Sequence, residues 1–242
     1  MRWRGKIPLI DVEWNFSPEK ECILSDELES YKNQIWDETL VEFPETYDGE
    51  VLVLDKFQFN EKGVKFALSF IRFSRILTLV KKQMKGPGLG TLGFQAIIFT
   101  EDKKHILAGT RSEKSQYCPL FHSVPGGMLE VNDTKGHFEN ACMREIKEEV
   151  KIELASEKSL VGIIPELHGT IGVVTIISAT AIGKYDLKKR VSGNDEWKDQ
   201  ELSWYDVDRL DQYIPENSLE GLLFVKNERN RFLNEGSSVL WP

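Results

Sequence analysis

The chain has 242 residues, 40% hydrophobic and 29% charged, near globular averages, which excludes bulk disorder and leaves room for one large or two small domains. The 39 acidic and 31 basic residues leave a formal charge of −8, which argues against a nucleic-acid wrapper, a class that presents basic excess. A small anionic substrate fits if a bound cation supplies positive charge.

Asp11 and Glu13 interrupt the apolar stretch near the N-terminus, and no apolar run is long enough to cross a bilayer. No membrane partner and a cytoplasmic location are therefore expected. Cys22, Cys118 and Cys142 form no CxxC pair and read as reduced thiols rather than disulfides or zinc ligands.

In chain order, Leu28, Tyr31, Ile35 and Leu40 predict a helix over 25–42. Val51 to Phe59 ends in alternation and reads as a strand, with Asn60 to Gly63 as the turn. Val64 to Val80 is rich in branched and aromatic residues and reads as β. Gly86-Pro-Gly-Leu-Gly90 is a breaker, placing a boundary between an N-terminal β-rich domain with one helix, 1–85, and a second domain, 86–242. Beyond it, 93–99 and 105–109 are expected strands, and a helix runs from Phe138 to Val150. Strands at 160–164, 172–181 and 202–205 and a closing helix at 218–233 complete an α+β pattern.

Gly88-Leu-Gly90-Thr-Leu-Gly93 matches a dinucleotide fingerprint letter for letter, but strand-like residues follow where a helix must open, so it reads as linker. The histidines at 105, 122, 137 and 168 share no i, i+4 spacing and suggest no zinc site.

The chemistry concentrates in Pro125-Gly-Gly-Met-Leu-Glu130 and the helix ending Arg144-Glu-Ile-Lys-Glu-Glu149. At about 100° per residue, Glu145, Glu148 and Glu149 share one helix face, while Cys142, Ile146 and Val150 form a neighbouring apolar stripe. Like charges at such spacings each cost about 0.2–0.5 kcal/mol in an isolated helix, and more beside a core where screening is weak. Hard divalent cations suit carboxylate oxygens and relieve that repulsion. Arg144 can hold a carboxylate in place. The paired glycines Gly126 and Gly127 let a backbone loop approach the acids closely. A solvated acidic helix face is the plainer reading of these acids taken alone.

Together these residues resemble the Nudix hydrolase family, whose box reads G-x5-E-x7-R-E-U-x-E-E-x-G-U, where U is a bulky aliphatic. Gly127, Arg144, Glu145, Ile146, Glu148, Glu149 and Ile152 match it. From Gly127 to Arg144 is 17 positions against 14 in the box, so three residues are inserted around 131–136. Counting back from Arg144 puts Gly136 at the box's early acid, with Asp133 the nearest carboxylate, and Lys151 replaces the last glycine.

The resemblance implies an α/β/α sandwich around a mixed sheet and Mg²⁺, with Mn²⁺ as a substitute, on Glu145, Glu148 and Glu149. Glu148, Glu149 and Arg144 are the implied catalytic residues. Gly126, Gly127 and Arg111 are candidates for substrate binding, although Arg111 is equally readable as a solvated loop arginine. Glu166, Glu196 and Glu201 are loop candidates for a base. Trp197, Trp204 and Tyr205 are candidates for stacking a nucleotide base, Trp204 reading more readily as core.

The implied reaction is hydrolysis of a diphosphate joining a nucleoside to another moiety, first a nucleotide sugar of the UDP-glucose or ADP-ribose type. A nucleoside triphosphate pyrophosphohydrolase and a non-catalytic nucleotide-sensing module are the alternatives. The N-terminal domain is expected to serve either as part of the substrate wall or as a homodimer interface.

Overall fold

A computed structural model describes residues 3–100, 102–113, 120–150, 152, 158–166, 173–181, 191–193, 195, 197–213 and 223. The first strands are β1 (Trp3–Pro8) and β2 (Val12–Glu21), separated only by a 3-10 turn at Leu9–Asp11. Helix α1 (Asp26–Glu42) follows, close to the expected 25–42, with its buried side chains at Leu28, Ile35 and Thr39. Strands β3 (Glu50–Asn60) and β4 (Gly63–Arg72) form the expected hairpin, the Asn60 carboxamide accepting from the Lys62 and Gly63 amides to close the turn.

The β-rich run expected to reach Val80 instead changes to a helix, α2 (Phe73–Lys81). Its cap comes from far upstream: Asp48 accepts from the Ser74 amide at 2.8 Å and the Ser74 hydroxyl at 3.0 Å. This satisfies orphan donors at the helix start from outside the local sequence. Ile76 and Leu79, one helical turn apart, are then buried.

The second part carries β5 (Gly90–Phe99), β6 (His105–Thr110), β7 (His122–Ser123), α3 (Phe138–Glu149), β8 (Lys158–Glu166), β9 (Val173–Ala181), β10 (Val191–Ser192), β11 (Glu201–Asp206) and α4 (Leu210–Tyr213). The glycine fingerprint at 88–93 runs into β5 and opens no helix, as its composition indicated. The helix expected at 218–233 falls, but for Leu223, outside the described residues.

One mixed sheet links these parts in the order β1-β8-β9-β5-β3-β4-β2, with β6, β7, β11 and β10 continuing from β5. The β5–β9 and β2–β4 pairs are parallel and the others antiparallel. Because β1 and β2 are nearly continuous, a single N-terminal segment holds both edges of that order. β1 pairs with β8 on one edge, and β2 pairs with β4 on the other. Across the Gly86–Gly90 break the sheet is continuous, Val53 and Leu54 pairing with Thr91 and Gly90.

The two-residue period of the strands sorts side chains to two faces. On one face Leu52, Leu54, Phe66, Leu68 and Phe94 meet Phe138, Cys142 and Ile146 of α3. On the other, Val51, Val53 and Ile71 lie with Leu28 of α1 and Ile76 and Leu79 of α2, while Ile97, Phe99 and Ile106 meet Leu210 of α4. Helices thus cover both faces of a mixed sheet, the expected α+β sandwich. With both faces covered, every residue of β5 is buried, which is why it reads as a nearly unbroken apolar run.

Phe138 makes edge contacts with Trp14 at 5.3 Å and Phe66 at 5.8 Å, both from the N-terminal part. The fragment 87–242 therefore loses much of the seat of α3. It is expected to show no cooperative unfolding transition by near-UV circular dichroism, whereas a transition matching that of the full chain would contradict this packing account.

Candidate active site

The loop before α3 is wedged between β5 and β3. Phe94 and Ala96 donate to the Gly127 and Pro125 carbonyls at 2.8 and 2.7 Å, and Leu129 donates to Leu92 at 3.0 Å. From the other side, Leu52 donates to the Leu129 carbonyl at 2.8 Å. This lodging makes demands on both glycines. A Cβ at residue 126 would lie 1.9 Å from the Phe94 carbonyl oxygen, and one at residue 127 would lie 2.1 Å from Glu145 Oε2. Any side chain at either position would push the loop off the strand or the carboxylate off the loop.

Phe138, Ala141, Cys142 and Ile146 bury one side of α3 and turn its acids toward this loop. Glu145 and Glu149 are only 8% and 4% exposed. Glu148 points outward, its side chain 56% exposed. The helix ends as Val150 turns to extended backbone, its amide still on the Ile146 carbonyl, so the exit is made without a left-handed glycine. Lys151, beyond it, lies outside the described residues.

Two arginines hold the acids. Arg111, expected to face either a phosphate or solvent, is 6% exposed; it donates to Glu149 Oε1 at 2.6 Å and to the Gly126 carbonyl at 2.8 Å. The Gly126 amide donates to Glu149 Oε2 at 2.7 Å, tying the loop to the same carboxylate. Trp197, 1% exposed, lies against this guanidinium, its ring centroid 4.5 Å from Arg111 Cζ. Such burial corrects the expectation that Trp197 stacks a base. Breaking a buried ion pair from one side costs about 3–5 kcal/mol, which makes Arg111 a support of Glu149 in this arrangement.

Arg144 grips Asp133 through both ends of its fork, Nε and one terminal nitrogen each at 2.8 Å. The same guanidinium reaches Glu145 Oε1 at 2.6 Å and Glu148 Oε2 at 2.8 Å. Its hydrogen bonds to Asp133, more than any other influence, hold the Arg144 proton above its ordinary range. Counted forward from Gly127, Asp133 is the sixth residue, where the box has its early acid, so the three inserted residues follow it. A two-way exchange locks the turn: the Glu130 carboxylate accepts from the Asp133 amide, and the Asp133 carboxylate accepts from the Glu130 amide.

Glu145, Glu148, Glu149, Arg144, Arg111, Gly126 and Gly127 are therefore brought together around the loop and helix. Glu201 stands at the start of β11 opposite Ser192. Glu166 ends β8 with its side chain outside the described residues, as is the whole of Glu196. Trp204 packs against the main core and Tyr205 against the α4 cluster. Tyr47, which sequence patterns did not single out, donates its hydroxyl to Glu130.

Among the described residues no three acidic, histidine or cysteine side chains already form a cation cage. The donor set nevertheless fits a hard divalent cation: carboxylate oxygens crowded at the edge of the core. Burial, reinforced by Glu148 and Glu149 and opposed by Arg144, pushes Glu145 up to about 8. The native chain thus retains a proton that the unfolded chain releases near 4.5, and this group's contribution to stability falls as pH rises from there through about 8. Thermal melts without metal are expected to show that decline and Glu145→Gln to flatten it. The gain in Tm on adding Mg²⁺ should grow over the same interval, because a cation needs the ionised carboxylate. A Mg²⁺ effect independent of pH would contradict the placement of Glu145 at the metal.

The NUDIX domain family model matches residues 91–221, more than half of the chain. Among solved structures, the MutT protein from Methanosarcina mazei Go1 is similar at 18% identity over 60% of this chain and 95% of that one, with a TM-score of 0.44. A bifunctional NMN adenylyltransferase/ADP ribose pyrophosphatase from Francisella tularensis, complexed with AMP and a Mn ion, is similar at 14% identity over 85% of this chain and 48% of that one, TM-score 0.46. The NUDIX domain of Shewanella oneidensis NrtR, complexed with ADP ribose, is similar at 15% identity over 58% of this chain and 87% of that one, TM-score 0.39. No curated protein matches the chain. On the family match over residues 91–221, the chain belongs to the Nudix domain family.

Proposed function

We propose that the chain hydrolyses the diphosphate linkage between a nucleoside and another moiety, with a nucleotide sugar of the UDP-glucose or ADP-ribose type as substrate. The observation that carries the reading is the set Glu145, Glu148 and Glu149 on α3, the first and last turned toward the Gly126-Gly127 loop, Glu148 beside them at the surface, and all three braced by two arginines. The β-rich residues 1–85 ahead of the family match resemble the layout of nucleotide-sugar enzymes, which supports that substrate class.

Mg²⁺, or Mn²⁺ in its place, would be held by Glu145, Glu148 and Glu149. Such an ion neutralises charge developing on phosphate oxygens and lowers the pKa of bound water. The chain's own groups do the placing. Arg144 keeps Glu145 and Glu148 at a fixed separation, and Arg111 with the Gly126 amide fixes both oxygens of Glu149. Glu148, the exposed member, is the base in this reading, accepting a proton at Oε1 while Oε2 stays on Arg144. Arg111 acts through Glu149, and direct phosphate binding by Arg111 would require it to leave that pair.

No helix among the described residues is long and apolar enough to cross a membrane. The working picture is a cytoplasmic enzyme on a small nucleotide substrate, acting without nucleic acid. Its N-terminal residues serve chiefly to seat α3, and a homodimer through them is the further role left to sedimentation analysis.

The test is a panel of UDP-glucose, ADP-ribose, dinucleoside polyphosphates and nucleoside triphosphates with Mg²⁺, products resolved by anion exchange. UMP with glucose 1-phosphate, or AMP with ribose 5-phosphate, is the expected result. Glu149→Gln should lower kcat on the order of a hundredfold or more, and because it also leaves Arg111 without its ionic partner its assay is run below its own lowered Tm. Pyrophosphate from triphosphates alone would replace the nucleotide-sugar reading with the triphosphate one. Inactivity with both Mg²⁺ and Mn²⁺ would overturn the hydrolase reading in favour of a nucleotide-sensing module.

A further inference from the structure

Two side chains from outside the residues matched by the family model reach the loop that leads into α3. Near the start of that loop the Tyr47 hydroxyl donates to Glu130 Oε1. Near its end the Trp14 indole N–H donates to the Gly136 carbonyl at 3.0 Å, and the same ring packs edge-on against Phe138, the first residue of α3. The three residues inserted relative to the box lie between these two attachments. The space for the first is reserved: a Cβ at residue 49 would come within 2.9 Å of Tyr47 Cε2 and 3.2 Å of Glu130 Oε1.

From Tyr47 an unbroken series of hydrogen bonds leads to the acids of α3. Tyr47 donates to Glu130, Glu130 and Asp133 exchange side-chain and backbone bonds, and Asp133 takes both arms of Arg144. Arg144 in turn holds Glu145 and Glu148. Neither Tyr47 nor Trp14 touches those acids, so any influence they have passes through the turn at 131–135 and through Arg144.

We infer that Tyr47, from the connection between α1 and β3, and Trp14, from β2, are positioning residues for the divalent-cation site, clamping the lengthened loop from two sides so that Arg144 presents Glu145 and Glu148 in register with Glu149. The inference rests on the proposed hydrolase reading. It goes beyond it by giving residues 1–85 a defined task in the reaction: they set the affinity for the cation, and the nucleotide-binding surfaces are left as they are.

The test measures Mn²⁺ binding to the full chain without substrate, by electron paramagnetic resonance, for the native protein, Tyr47→Phe, Trp14→Phe and Glu149→Gln. Tyr47→Phe removes one hydroxyl from a largely exposed ring, so the fold persists. Losing one hydrogen bond to a carboxylate is expected to weaken Mn²⁺ binding by about threefold to tenfold with Tm nearly unchanged. Trp14→Phe keeps an aromatic edge on Phe138 and should shift affinity in the same direction. In turnover assays both variants should need more Mg²⁺ for half-activation, recover the native kcat when Mg²⁺ is saturating, and keep the native KM for the nucleotide. Native Mn²⁺ affinity in both variants would overturn the inference while leaving the hydrolase reading intact. If the native chain bound no Mn²⁺, or bound it no better than Glu149→Gln, the metal site itself would be refuted and the inference with it.

Discussion

Three carboxylates share one face of α3, and two of them are nearly buried. Left alone, that arrangement is unfavourable: burial penalises each charge and neighbouring charges repel with little screening. Two guanidinium groups make it tolerable. Arg111 closes on Glu149 from beneath, and Arg144 spreads across Asp133, Glu145 and Glu148. Both arginines are also bound to the glycine loop or the turn after it, so the acids, the loop and the helix are held as one unit. The same crowding that raises Glu145 toward neutrality is what a divalent cation would relieve. Strain of this kind is common at functional sites because the groups are placed for a bound state rather than for the metal-free fold.

The rest of the fold serves to hold that unit against water. The apolar side of α3 meets strands from both halves of the chain, with Phe138 against Trp14 and Phe66, and Cys142 and Ile146 in the same cluster. The segment from β1 to β2 contributes to the two edges of the strand order through a three-residue turn. Residues 1–85 are thus part of the sheet on which α3 rests, and the Gly86–Gly90 break joins α2 to β5, which pairs directly with β3.

Local patterns were enough where one element decides its own state. Helix α3 has Phe138, Ala141, Cys142 and Ile146 at helical spacing, and β5 is buried along its whole length and, Thr91 and Gln95 apart, carries no polar side chain. The motif acids could be read from the same spacing. Elements that depend on distant partners were not visible. Helix α2 carries strand-like composition and is capped by Asp48, 26 residues upstream. Strands β1 and β2 are defined by pairing with β8 and β4. Arg111 looks like an ordinary loop arginine until Glu149 and Trp197 enclose it. Asp133 was hidden because the insertion falls after it, so its place depends on which end of the motif the count starts from. Tyr47 has no motif at all, and only the β3–loop pairing brings it to Glu130.

The central claim is that the acids of α3 form a divalent-cation site assembled by the two arginines. Its most direct test is a crystal structure of the full chain grown with Mn²⁺, with anomalous differences recorded at the manganese edge. The account predicts a strong peak bounded by carboxylate oxygens of Glu145, Glu148 and Glu149, with Arg144 still on Asp133 and Arg111 still on the Gly126 carbonyl. Absence of a peak on this helix face at saturating Mn²⁺, with the three acids remaining on their arginines, would contradict it.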